Sequence, residues 1–334
     1  MSLLGWRLLW PITLGLAGSA SPAGTLQPAP EPTGRLVDIG GQLLHVNCTG
    51  TGSPTVILEA GTGDFSVIWA LVQPKVATFT RVCSYDRGGY AWSQPGRRPR
   101  TFAQLALELR TALRKLDIPP PYLMVGQSYG GLVVRGFAAS FPSEVGGMVL
   151  VDAVHEDQRV VYGGQPHRIR DGARGRPFPE PRIELDEELI IATKDHLTTP
   201  AEGALEAPLD RLPAAAQLIW RWAQSLPIGR MGQRAELDWS PEELARFHQE
   251  RIGHRATLGR IPLIVLARTE GGYPSGMQIS ADSLERERRA LQSDLAALSS
   301  NGQLRYAAHS GHNIHLEDPD FVVAAIREVA RPRR

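Results

Sequence analysis

A serine turn wedged between a strand and a helix constrains this chain more than any other feature. Gly126-Gln127-Ser128-Tyr129-Gly130 follows an apolar run of strand length, residues 121–125, and precedes residues 131–139, which read as a buried helix. A G-x-S-x-G pentapeptide is common by itself; the strand before it and the helix after it give it meaning. A turn this tight forces the serine into a strained backbone, and only glycine at either flank leaves room for strand and helix to approach. The strain exposes Ser128 Oγ. It also aims the Tyr129 N–H, at the start of the helix, at any negative charge developing on an oxygen nearby.

The rest of the chain has the rhythm of a mainly parallel α/β fold. Residues 35–39 and 42–47 read as a hairpin turning at Gly40-Gly41, and residues 55–59 as a buried strand. A helix is expected over 67–77, a strand over 80–85 and a helix over 102–116. The serine turn comes next, then a strand over 147–152. The alternation stops after Asp152. Residues 155–259 lack strand signals and hold a Pro/Arg/Gly-rich stretch at 163–181, a helix-like piece at 214–222, and Ser240-Pro241-Glu242-Glu243, which predicts a helix start. The pattern resumes with a strand at 261–267, a helix at 281–298, a strand at 303–308 and a closing helix at 319–330. The expected domains are therefore a core of residues 35–154 and 260–334, interrupted by a helical cap at 155–259.

With 36 basic and 35 acidic residues the net charge is +1, which gives no electrostatic case for nucleic acid as a partner. The runs Arg97-Arg98-Pro99-Arg100 and Arg331-Pro332-Arg333-Arg334 read as solvated surface. Near the N-terminus, Arg7, the apolar residues 8–17 and the small residues 18–24 have the layout of a secretory signal peptide, taken as residues 1–23. Export to the periplasm or medium is expected. Anchoring by an uncleaved segment is the alternative, and no integral membrane partner is expected. Residues 24–34, with Pro28, Pro30 and Pro32, read as a disordered leader. Two cysteines, Cys48 and Cys83, are too few for a cysteine metal site or a disulfide scaffold.

Several motifs occur in order: Glu59-Ala60-Gly61-Thr62-Gly63, Tyr85-Asp86-Arg87-Gly88-Gly89-Tyr90-Ala91-Trp92-Ser93, the serine turn, residues 148–152, and Ser310-Gly311-His312-Asn313-Ile314-His315. Together they resemble the α/β-hydrolase superfamily of esterases, lipases and peptidase-like enzymes across residues 35–330, the cap excepted. The resemblance implies a mostly parallel central sheet flanked by helices, with the cap between its sixth and seventh strands. It implies Ser128 as nucleophile and His312, in a glycine-flanked loop between the last strand and last helix, as base; His309 and His315 are the near misses. Two positions suit the acid. Asp152 ends the strand before the cap and is preferred; Glu270 follows the strand after it. Asp86 comes third, set aside because Arg87 beside it suggests a structural ion pair. The oxyanion hole would combine the N–H groups of Tyr129 and Thr62, with Ala60-Gly61 standing where the family carries His-Gly. In such a fold the second hairpin strand lies antiparallel to residues 81–85, which makes Cys48 and Cys83 plausible disulfide partners.

The implied reaction is hydrolysis of a small-molecule carboxylic ester, or a related acyl bond, through an acyl-enzyme, with no metal or organic cofactor. A serine nucleophile argues against epoxide and haloalkane hydrolysis, which in this superfamily use aspartate. Trp220, Trp222, Trp239 and Phe247 are expected either to pack the cap or to line the substrate pocket. The competing readings are a non-catalytic binding protein on the same fold, and C–C bond hydrolysis or perhydrolysis on the same three residues.

Overall fold

The computed structural model of the 334-residue chain describes residues 29–183, 203–254, 256–273 and 276–331. The expected signal peptide, residues 1–23, and residues 24–28 of the expected leader lie outside them. In chain order the strands are β1 (Arg35–Asp38), β2 (Leu43–Thr49), β3 (Thr55–Glu59), β4 (Val82–Tyr85), β5 (Tyr122–Gln127) and β6 (Val145–Val151). A separate pair follows, β7 (Arg159–Tyr162) and β8 (Gln165–Arg168), and then β9 (Leu263–Arg268) and β10 (Gly302–Ala307). Eight of these form one sheet in the order β1-β2-β4-β3-β5-β6-β9-β10. β2 is antiparallel to β1 and β4, and every other pairing is parallel.

The central strands are continuous apolar runs because both faces are covered. Ile57, Met124, Met148, Leu150 and Val265 face α2 (Phe102–Lys115), α3 (Gly130–Ser140) and α6 (Ala281–Ala296). The alternate residues Leu58, Leu123, Val125, Val149 and Leu266 face α1 (Gln73–Val76) and α8 (Pro319–Val329). Helix starts follow local chemistry: Thr101 Oγ1 accepts from Gln104 N–H at 3.2 Å, and Asp318 Oδ1 accepts from Phe321 N–H at 3.2 Å just ahead of Pro319. Across the β2–β4 pairing, Cys48 lies directly opposite Cys83 and the two are bridged.

Several expectations need correction. The single helix over 67–77 is instead a 3₁₀ turn at Ser66–Trp69 and the short α1, because Pro74 lacks the N–H that a continuous helix requires there. The insertion is not purely helical. β7 and β8 form a hairpin about Gly163-Gly164, both at positive φ (56° and 75°), as a two-residue turn demands. No helix starts at Ser240-Pro241. Instead α4 (Ala214–Ser225) leads into one long helix, α5 (Pro227–Gly253), with Pro241 inside it. Interior proline costs about 3 kcal/mol, and burial of Trp239, Leu244 and Phe247 along the same helix offsets it. The leader is not loose throughout, since the Trp92 indole N–H donates to Pro30 O at 2.7 Å. The first basic run is solvated only at Arg98: Arg97 and Arg100 are buried, and Arg100 donates to Glu108 Oε1 at 2.8 Å.

Candidate active site

The sheet brings the sequence candidates to one edge. Ser128 follows β5, Asp152 follows β6, Thr62 follows β3 and His312 follows β10, so each sits beyond the carboxyl end of a parallel strand. Ser128 has φ +53°, the left-handed region that a non-glycine residue enters at a cost. Close approach explains its flanking glycines. A Cβ on Gly126 would lie 2.5 Å from Gly130 O, and one on Gly130 would lie 2.6 Å from both Ala60 O and Glu59 O. A Cβ on Gly61 would meet Gln127 Oε1 at 2.4 Å and Ser128 Cβ at 3.2 Å, so the loop after β3 lies directly against the serine. Tyr129 is the N-cap of α3, at the helix end where backbone N–H groups have no carbonyl of their own helix to meet.

Of the two acid candidates, the structure brings Asp152 to His312. His312 Nδ1 donates to Asp152 Oδ2 at 2.6 Å, which leaves the lone pair on Nε2. The Gln127 amide nitrogen lies 3.4 Å from that Nε2, so the ring hangs over the residue beside Ser128. Asp152 is 5 % exposed, whereas the imidazole of His312 is 41 % exposed. Burial alone would push the Asp152 carboxyl up. The His312 hydrogen bond and charge, the Arg288 guanidinium at 3.0 Å and the Arg268 N–H at 3.2 Å overcome this and hold it below the ordinary range. Glu270 is placed elsewhere: it is exposed and pairs with the exposed His309 at 3.3 Å. His315 is buried against Trp69, their rings 4.9 Å apart.

Asp86 and Arg87 do not pair with each other. Neighbours at a strand end point to opposite sides. Asp86 meets buried His45 Nδ1 at 2.9 Å, while Arg87 turns under the loop after β3. There the Arg87 guanidinium donates to Glu59 Oε1 (2.6 Å), Ala60 O (2.8 Å), Gly61 O (2.9 Å) and both carboxylate oxygens of Glu236 on α5 (2.9 and 3.2 Å). Sequence reasoning missed Glu59 and Glu236 as partners; one buried carboxylate at the end of β3 was the available signal. Of the insertion aromatics, Trp222, Trp239 and Phe247 are buried in packing, Phe247 stacked on Phe102. Trp220 alone reaches the loop, donating to Asp64 Oδ1 at 3.3 Å. No cluster of three metal-ligating side chains occurs among the described residues.

A family model described as alpha/beta hydrolase fold matches residues 54–201, which include Ser128 and Asp152. The structural neighbour titled Est816 as an N-acyl homoserine lactone degrading enzyme superposes with a TM-score of 0.59 at 16% identity, covering 88% of this chain and 99% of that one. The chain has an α/β-hydrolase fold. Among curated relatives, the uncharacterized protein YqjL of Bacillus subtilis (strain 168) is 26% identical over 280 residues, 84% of this chain and 85% of that one. The probable transporter efuK of Hormonema carpetanum is 25% identical over 318 residues; the match takes in 88% of this chain but only 42% of that protein. The α/β-hydrolase fold accounts for the mainly parallel sheet and for the gathering of loops at its carboxyl edge.

Proposed function

We propose that the chain is a serine hydrolase cleaving a carboxylic ester or related acyl bond. The observation that carries this reading is the 2.6 Å Asp152–His312 hydrogen bond beside a serine held at positive φ. In the first step Ser128 Oγ attacks the acyl carbon and passes its proton to the Nε2 lone pair of His312. Asp152 stays ionised, keeps the imidazole in that tautomer and stabilises the imidazolium. The oxyanion is received by the Tyr129 and Thr62 N–H groups, each such donor contributing about 3 kcal/mol to the transition state. Collapse returns the proton to the departing alcohol. Water, deprotonated by His312, then attacks the acyl-enzyme, and the acid leaves with Ser128 restored.

The fold supports this class of reaction, and the neighbour titled as lactone-degrading supports including lactones among the substrates tried. We propose export as the setting, with the Cys48–Cys83 bridge as its structural support. No helix among the described residues is long and apolar enough to cross a membrane.

A chain-length series of p-nitrophenyl esters, with an acyl homoserine lactone beside it, tests the reading. Wild type is expected to turn over at least one of them, and Ser128→Ala to lose that activity by about 10⁴-fold or more. Equal rates in wild type and Ser128→Ala, or none in either, would overturn it.

A further inference from the structure

The hydroxyl, imidazole and carboxylate do not account for Arg87, the most highly coordinated side chain near the site. A guanidinium has five N–H donors in one plane. Here all five are used: Nε–H and one Nη2–H hold the Glu236 carboxylate, one Nη1–H holds Glu59, and the remaining two hold Ala60 O and Gly61 O. Arg87 is 2% exposed, and Glu59 and Glu236 are each 1% exposed. A salt bridge needs neither of the two carbonyls, and they belong to the loop that lies against Ser128.

Peptide planarity gives the consequence. In a trans peptide the C=O of one residue and the N–H of the next point in opposite directions. Holding Ala60 O fixes the Gly61 N–H, and holding Gly61 O fixes the Thr62 N–H, both facing away from Arg87. Ser128 lies hard against Gly61. Arg87 therefore sets the direction of the very donor that an oxyanion hole requires from this loop.

Arg87 is in turn held by the insertion. Glu236 stands one helical turn after Gly232, where α5 packs on the Gly88-Gly89 backbone, a Cβ on Gly89 lying 3.3 Å from Gly232 Cα. A Cβ on Gly232 would lie 3.4 Å from Gly89 O and 3.5 Å from Gly88 O. Tyr90 OH donates to Glu236 Oε2 at 3.0 Å from the other side. Gln224 of α4 donates to Gly63 O at 2.8 Å, and Trp220 to Asp64, so the same loop is gripped from above as well.

We propose that Arg87 is a positioning residue that orients the Thr62 side of the oxyanion hole, and that Glu236 couples this orientation to the seating of the insertion. This rests on the serine-hydrolase reading. The test compares Arg87→Lys and Glu236→Gln with wild type in ester turnover and in affinity for a trifluoromethyl ketone, whose adduct on serine carries an oxyanion. The matching secondary alcohol, which forms no adduct, serves as control. Lysine offers three donors from one point and cannot hold both carbonyls and both carboxylates. Arg87→Lys is expected to lower kcat by about 10²–10³-fold with little change in KM, to weaken the ketone by a similar factor, and to leave the alcohol unaffected.

Glu236→Gln keeps size and the Nε–H acceptor, so it decides the matter if Arg87→Lys does not fold. It is expected to lower kcat and ketone affinity by about 10-fold each. Folded variants with wild-type kcat and ketone affinity, or an equal loss for ketone and alcohol, overturn the inference while the hydrolase reading stands. A wild type that neither turns over esters nor binds the ketone removes both.

Discussion

Asp152→Asn gives the sharpest quantitative expectation. The carboxylate is almost wholly buried, with Oδ2 at 2.6 Å from His312 Nδ1 and Oδ1 receiving Arg288 and the Arg268 N–H. An asparagine fits the same space and can still accept from Arg288 through its Oδ1. Its NH₂ then faces His312 and donates to Nδ1, which moves the ring proton to Nε2 and removes the lone pair that Ser128 needs. A wrong tautomer at an otherwise intact site of this kind lowers kcat by about 10⁴-fold, or about 5 kcal/mol of barrier. Arg288 remains bonded to Glu285 and to Arg268 O, so the fold is expected to lose only about 1–3 kcal/mol. The assay is steady-state kinetics on the best ester, with urea melts and the downfield His312 Nδ1–H proton resonance recorded in parallel. Glu270→Gln, exposed and paired with His309, should keep wild-type rates. Asp152→Asn retaining more than a tenth of kcat, or Glu270→Gln losing a hundredfold, would refute the assignment.

The other expectations concern the frame around the site. Closing a loop across 35 residues, the Cys48–Cys83 bridge stabilises the chain by about 4 kcal/mol in the chain-entropy account, so Cys48→Ser/Cys83→Ser should lower the urea midpoint markedly, and mass analysis without reductant should find no alkylated thiol. Burial holds His155 down at about 4 and His315 at about 3, against 6.5 in an unfolded chain. The unfolded state therefore binds these protons first, and stability present above pH 6.5 is lost as pH falls toward those values, by about 2 kcal/mol per residue at pH 5; an unfolding free energy constant between pH 7.5 and 5 would contradict this. Gly126→Ala puts a methyl 2.5 Å from Gly130 O and 2.7 Å from Gly131 N, both backbone atoms, and should destabilise by about 3 kcal/mol or more, readable as a fall in Tm.

How much was legible in the sequence follows the physics of each part. The parallel strands were, because burial on both faces writes them as unbroken apolar runs such as residues 122–125 and 263–267. The serine turn was, because glycine at 126 and 130 is enforced by backbone contact. The insertion was not. Pro241 carries the local signature of a helix start, yet Glu236, Trp239, Glu243 and Phe247 are buried along one continuous helix, and tertiary packing overrode it. The β7–β8 hairpin was announced by Gly163-Gly164 after Val160-Val161-Tyr162, a signal lost in reading that stretch as merely proline- and glycine-rich. Arg87 misled because adjacency to Asp86 suggested a pair, while its partners lie 28 and 149 residues away.

The most direct measurement is reaction of the folded protein with a fluorophosphonate, followed by peptide mass mapping. A single adduct on Ser128, absent in Ser128→Ala and formed far more slowly in His312→Ala, is the predicted result. An unmodified Ser128 in folded protein, or labelling as fast without the imidazole as with it, would contradict the account.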